Sequence, residues 1–277
     1  MHTFYADDTY LKTSKEDPLP KIHIFGGVLA SHAAEQEIIK AIKKVKSEYT
    51  HENMPIKWNF RDSSIKNIYE KHDRLNEFTR MVAESRAWRL SIAETLKHIQ
   101  FKIVVSCIEA YSDDKQKIKG AKDNLLTYLF ENLLMRVGLE AKGISDTWQC
   151  VLDWPPDSNP KPFDSAYYRL HHNGLDSTGK EIYAGPLSLI GFSPSLYYTR
   201  CNHSPLLQLS DLIVGATKDH IEANLQNRSS CVGSEFVNTV ISRFRERDGV
   251  IDGYGVVASS GNPQLKSTIT KLFGRKA

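Results

Sequence analysis

No C-x-x-C pair occurs in this chain, and its four cysteines (Cys107, Cys150, Cys201 and Cys231) are scattered, with no histidine at matching ligand spacing. That pattern argues against a zinc site and against a disulfide framework. Cys107 and Cys150 lie inside apolar runs, as small core residues do. No run approaches the roughly 18 uninterrupted apolar residues of a membrane span. The opening residues lack the basic and apolar regions of a secretory signal. A cytoplasmic protein with reduced thiols and no membrane contact is expected. Catalytic signatures are missing as well. There is no G-x-x-x-x-G-K-[ST], no G-x-S-x-G and no H-E-x-x-H, and Gly26-Gly27 lacks the rest of a dinucleotide fingerprint. His171, His172, His203 and His220 stand at no ligand spacing. Internal repeats and low-complexity segments are absent.

What is present is an ordinary globular composition, 40% hydrophobic and 25% charged over 277 residues, enough for a substantial core. A net charge of +3 neither demands nor excludes a nucleic-acid partner, because a local basic face matters more than the total. One stretch stands out. Pro205 to Ala216 reads as a helix that is apolar almost all round, with Asp211 set into it. Such a helix is normally buried. A buried ionised carboxylate costs several kcal/mol unless a cation or hydrogen-bond donor meets it. Asp211 is therefore either a capped or ion-paired structural acid, or one member of a site built with other acids.

The rest of the chain supplies candidates. Residues 3–11 read as a first strand in which Asp7 and Asp8 are out of place, since Asp is depleted in strands. Alternation lets one face a site while the other faces away. A polar turn over 12–20 leads to a second strand, Ile22 to Ala30, whose Gly26-Gly27 pair suggests a bulge or a close backbone approach. Ser31 is placed to cap a helix with Ile38, Ile39, Ile42 and Val45 inside and Lys40, Lys43, Lys44 and Lys46 outside, a solvated face or a basic track. Residues 55–60 look like a short third strand carrying Lys57 and Trp58. A long helix over 73–99 follows, with Arg74, Arg80, Arg86 and Arg89 on its polar side.

Residues 101–110 form a strand buried on both sides, with Glu109 near its end. The stretch 121–138 is an apolar helix with Gly138 as its C-cap. Trp148 to Pro156 is a further buried strand, stopped by two prolines, with Asp153 where it ends. Residues 157–186 read as loop and 187–192 as strand. His203, just before the Asp211 helix, is either a loop or capping residue or an aid to a metal site. Beyond 225 come an amphipathic helix at 235–245, a strand-like GVIDGYGVVAS and a last helix at 263–273.

Leading strands followed by alternating helices and interior strands predict an α/β fold built on a mixed sheet. Its acids fall on the first strand, at the end of an interior strand and on a buried helix. Carboxylates gathered from separate elements without Cys or His suit hard, oxygen-preferring ions, Mg²⁺ or Mn²⁺. Two such ions activate water and stabilise the leaving oxygen of a phosphodiester.

The start Phe4-Tyr5-Ala6-Asp7-Asp8 is similar to the first strand of ribonuclease-H-like proteins. The ordered set Asp7-Asp8-Thr9, Lys57, Val151-Leu152-Asp153 and Gln208-Leu209-Ser210-Asp211-Leu212-Ile213 resembles the bacterial and phage family catalogued as domain of unknown function 3800. Asp8 stands where that family has Glu, Thr9 where it has Ser, and Ser210 where it has Ala. The resemblance spans about residues 3–220. It implies a ribonuclease-H-like mixed sheet flanked by helices and a metal-dependent nuclease activity, sometimes linked to defence against phage.

The expectations are then specific. Residues 1–230 form the ribonuclease-H-like domain, and 231–277 form a C-terminal α/β extension packed on it. Asp7, Asp153 and Asp211 hold Mg²⁺ or Mn²⁺, with Asp8 as a fourth acid and Lys57 meeting a phosphate or transition-state charge. RNA or DNA is the partner, with Trp58 and Trp154 either stacking on bases or packing in the core. A homodimer, or a partner protein of a defence system, is left open. Two other readings remain: a non-catalytic binding or sensor module of the same fold, and a hydrolase of small phosphoesters.

Overall fold

The computed structural model describes residues 1–9, 21–110, 115–154, 159–228, 230–258 and 262–274, and of Lys21, Glu109, Ala110 and residues 115–124 the backbone alone. The expected turn at 12–20 and the prolines at 155–156 lie outside the described residues, as does the side chain of Glu109. The fold is α/β. Strand β1 (His2–Asp8) pairs antiparallel with β2 (Lys21–Ser31), which pairs antiparallel with β3 (Lys102–Ala110). On the other side of β1, β4 (Trp148–Asp153) runs parallel to it and β5 (Phe192–Thr199) runs parallel to β4. Strand β6 (Val256–Ala258) lies parallel beside β3. Among the described residues this makes one mixed sheet in the order β5-β4-β1-β2-β3-β6.

Helices cover both faces. On one lie α1 (His32–Tyr49), α2 (Ser63–Lys71), α3 (Leu75–Ala83), α4 (Ser85–Leu96), α7 (Pro205–Leu225), α8 (Val232–Thr239) and α9 (Pro263–Phe273), over Ile22, Ile24, Val28, Ile103 and Val105. On the other lie α5 (Lys115–Ala141) and α6 (Lys161–Tyr168), over Phe4, Phe25, Trp148, Cys150 and Leu152. The period-two alternation of β1, β2 and β4 sorts their side chains between these two cores. The C-terminal segment is woven into the first of them: Phe236, Val256 and Phe273 share the core of α7.

The glycine pair marks a close approach, not a bulge. The β1–β2 register is unbroken through Ala6 opposite Gly27 and Asp7 opposite Gly26. A Cβ on Gly27 would stand 2.0 Å from the Tyr5 carbonyl oxygen and 2.5 Å from the Ser210 hydroxyl. Helix α7 therefore seats directly on the sheet, with Ser210 donating to that same carbonyl at 2.8 Å. Ser31 caps α1 as expected, accepting from the Ala34 amide.

Several segments depart from the sequence pattern. Residues 55–60 are not a strand. Pro55 has no N–H to give a ladder, and the amides of Ile56 and Trp58 donate to side chains of α7 instead. The long helix at 73–99 is broken. Asp73 takes φ 56°, and α3 and α4 meet at Glu84, where the indole of Trp88 donates to the Met81 carbonyl. Helix α5 runs through Gly138 to Ala141, with Ala184 and Leu187 packed over that glycine. Residues 157–186 contain α6 and a π-helical turn at Arg169–Asn173. Leu187–Ile190 is a 3-10 turn, and the strand begins only at Phe192. Of the last strand-like stretch only β6 pairs, and the amphipathic segment ends as α8 at Thr239.

Candidate active site

Alternation puts Tyr5 and Asp7 of β1 on the face covered by α7, and likewise Val151 and Asp153 of β4. The parallel β1–β4 register runs to Ala6 beside Leu152, so its next step sets Asp7 beside Asp153. Asp211 comes down on them from α7, which packs over β1 and β2. Three of the expected acids therefore meet at one end of the sheet, and Lys57 faces all three from the 55–60 segment.

The electrostatics follow from this crowding. Asp7 is 5% exposed. Burial, then the charges of Asp153, Asp211 and Asp8, push its pKa well above the carboxylate range, against the pull of Lys57. Burial pushes Asp211 up to about 6, opposed chiefly by the Trp58 amide and Lys57. Asp153 is also raised by burial, although the Cys201 amide and Lys57 favour its charged form. Burial would lower the Lys57 ammonium, but the nearby negative groups, Asp211 foremost, outweigh it and hold its pKa above the usual value. Burial, which disfavours the charged form, is the main source of all three carboxylate shifts, and neighbouring acids add to those of Asp7 and Asp211.

Each carboxylate gives one oxygen to a backbone N–H. Asp8 donates to Asp7 at 2.7 Å, Cys201 donates to Asp153 at 2.6 Å, and Trp58 donates to Asp211. Among the described residues no group of three or more His, Cys, Asp or Glu side chains is already arranged to hold a metal ion. The donor chemistry nevertheless fits one. All the converging donors are carboxylate oxygens, and three acids share one ammonium.

The other expected residues fall elsewhere. Asp8 turns to the opposite face, 3.5 Å from Nε2 of His23, and is separated from the cluster by the strand itself. His203 is exposed at the end of a 3-10 turn before α7. Trp58 is a packing residue. Its indole donates to Asp219 at 2.9 Å, its carbonyl accepts from Arg89, and the Arg89 guanidinium lies 4.4 Å from its ring centroid. The backbone of α7 at Gly215 lies against that indole, where a Cβ would stand 2.2 Å from it. Trp154 is exposed and meets Tyr198 edge-on at 6.2 Å, and Tyr198 packs on the α5 side of the sheet, away from Asp211.

Of the expected basic tracks, Lys46 is buried, 3% exposed, with its ammonium donating to Gln208 at 3.3 Å, and burial lowers its pKa to about 8. Arg74, Arg80 and Arg86 are ion-paired with Glu77, Glu84 and Glu235.

Sequence reasoning missed Gln208 as a hub. Its carbonyl oxygen accepts from Ile56 N–H and Lys46, and its amide donates to the carbonyls of Cys201 and Asn202. Gln208 thus fixes the Lys57 segment and the Cys201 turn, the two pieces whose amides hold Asp211 and Asp153. The signal was a buried polar residue one turn before Asp211.

Comparison with protein-family models, with curated proteins and with solved structures found no match in any of the three.

Proposed function

We propose that the protein is a metal-dependent nuclease of ribonuclease-H-like fold, acting on phosphodiester bonds of RNA or DNA at the Asp7–Asp153–Asp211 cluster. The observation that carries this is the convergence of three acids from β1, β4 and α7 on one lysine, each with its pKa raised by burial. The mixed sheet with helices on both faces, and the placement of one acid on each of those three elements, support the ribonuclease-H-like reading and the family resemblance.

Asp7, Asp153 and Asp211 would hold Mg²⁺ or Mn²⁺. Such ions supply Lewis-acid polarisation of a phosphoryl oxygen and a water of lowered pKa. The chain's own residues do the positioning. The amides of Asp8, Cys201 and Trp58 orient the three carboxylates, so little side-chain freedom remains to be lost on binding. The Lys57 ammonium stays charged across the physiological range and favours a phosphate or a developing negative charge beside it. Asp8, on the other face, acts on Asp7 through its backbone amide and its nearby charge and not as a further ligand.

The test is cleavage of labelled RNA, DNA and hybrid in Mg²⁺, Mn²⁺ or EDTA. The expected result is cleavage that EDTA abolishes and that Asp211→Asn removes while the protein stays folded. Equal activity in Asp211→Asn contradicts the reading. Binding without cleavage would point to a sensor module, and turnover of small phosphoesters alone to the third reading.

A further inference from the structure

Among the described residues, the sheet beside the acid cluster is uncovered. On β4, Trp148, Cys150 and Leu152 are buried while Gln149, Val151 and Asp153 are half-exposed. Helix α7 packs over β1 and β2, and among the described residues the face that it shares with them continues outward over β4 and β5 without a comparable lid. The β4–β5 register sets Tyr197 opposite Val151 and Thr199 opposite Asp153, so Tyr197 and Thr199 share the face of Asp153. Tyr197 is 43% exposed, and its hydroxyl lies 3.5 Å from that of Ser193. Arg200, exposed where β5 ends, is near enough to Asp153 to favour its charged form.

We infer that this open face is the path of a single-stranded nucleic acid, which crosses β4 and β5 with a base stacked on Tyr197 and its backbone passing Arg200 toward the Asp7–Asp153–Asp211 cluster. The inference rests on the nuclease reading and narrows its substrate. Four features select this occupant. The face carries an exposed aromatic ring on a sheet, the arrangement on which splayed bases stack. Gln149, Val151, Tyr197 and Thr199 present no acid to repel phosphates, and Arg200 gives the site end a positive charge. The face is continuous with the acids through Asp153 itself. A duplex keeps its bases stacked inside and would offer Tyr197 only its backbone.

The test is fluorescence anisotropy of the full chain in EDTA, which stops cleavage, with labelled 15-nucleotide oligo-dT and oligo-U and a blunt 15-base-pair duplex as probes. The expected result is tighter binding of the single strands than of the duplex. Tyr197→Ala should weaken single-strand binding about 5- to 100-fold and Tyr197→Phe should retain it. Arg200→Ala should reduce the salt dependence by about one phosphate contact. Thermal melts of each variant separate lost binding from lost folding, and Tyr197→Phe with Arg200→Ala keep the test valid if Tyr197→Ala unfolds. Preference for the duplex, unchanged affinity in Tyr197→Ala, or no binding of either probe overturns the inference. The two claims separate cleanly. Tyr197-dependent binding by a protein that never cleaves sinks the nuclease reading alone, and metal-dependent cleavage indifferent to Tyr197 sinks this inference alone.

Discussion

Two buried acid sites lie on opposite faces of the sheet, and they are built differently. On the α5 side Glu131 is 1% exposed, and both of its oxygens are satisfied: Arg169 donates to one at 2.6 Å and the Ser177 amide to the other at 3.1 Å. One charge meets one countercharge and one dipole. On the α7 side three carboxylates share Lys57; burial raises all three pKa values, and neighbouring acids raise those of Asp7 and Asp211 further. Glu131 is what a structural buried acid looks like. The Asp211 cluster instead gathers more carboxyls than it has countercharges, and burial raises the pKa of each. Excess of this kind is what a bound cation offsets.

The contrast can be broken by substitution. The largest effect expected is on cleavage: Asp7→Asn, Asp153→Asn and Asp211→Asn should each lower the single-turnover rate at least about a thousandfold, roughly 4 kcal/mol in the barrier. Their stability in EDTA should hold or rise, read by urea denaturation. Glu131→Gln should do the reverse, losing about 2–3 kcal/mol of stability because Arg169 keeps a charge without its partner, with cleavage per folded molecule unchanged. Equal destabilisation by Glu131→Gln and Asp211→Asn would erase the distinction between the two sites.

A second pair concerns the scaffold of the cluster. Gly215→Ala drives a methyl into the indole of Trp58. It should cost about 1–3 kcal/mol by overpacking and pull the Trp58 amide from Asp211, so that divalent-ion affinity falls with stability. Calorimetry in EDTA and in Mg²⁺ reads both. A loss of stability with full ion affinity would show that the amide does not position Asp211.

The smallest effect is in the pH profile. A carboxyl whose folded pKa is raised adds stability below its unfolded pKa near 4 and loses it as pH rises through the folded value, here about 6 for Asp211. In EDTA the stability of the protein should therefore decline by about 1–2 kcal/mol from this group between pH 4 and 6, and the decline should shrink in Asp211→Asn. In Mg²⁺ the decline should be offset, because ion and proton compete for the same oxygens. Identical profiles in wild type and Asp211→Asn would remove the basis for an interacting cluster.

Much of this was legible in the sequence, for local reasons. β1 to β4, α1 with its Ser31 cap and α9 carry their periodicity and capping residues within a few positions. Asp7, Asp153 and Asp211 stood out because each is a charge in an apolar segment. What was not legible depended on partners distant in sequence. The 55–60 segment has strand-like residues, yet its amides go to Gln208 and Asp211, about 150 positions away. Lys46 belongs to a basic run by sequence, yet it is buried, and its ammonium donates a hydrogen bond to Gln208, 162 positions away. The sequence left Trp58 between base stacking and core packing, and the contacts with Gly215 and Asp219 that decide for packing lie about 160 positions away. Tyr197 was invisible as a surface because the β4–β5 register, and not the sequence of β5, decides which face it shares with Asp153.

The most direct measurement is Mn²⁺ binding to the full chain, followed by the electron paramagnetic resonance signal of free Mn²⁺. The account predicts that wild type and Glu131→Gln bind the ion alike, and that Asp7→Asn, Asp153→Asn and Asp211→Asn each weaken binding at least about tenfold. Equal affinity across all five proteins, or loss in Glu131→Gln alone, would contradict it.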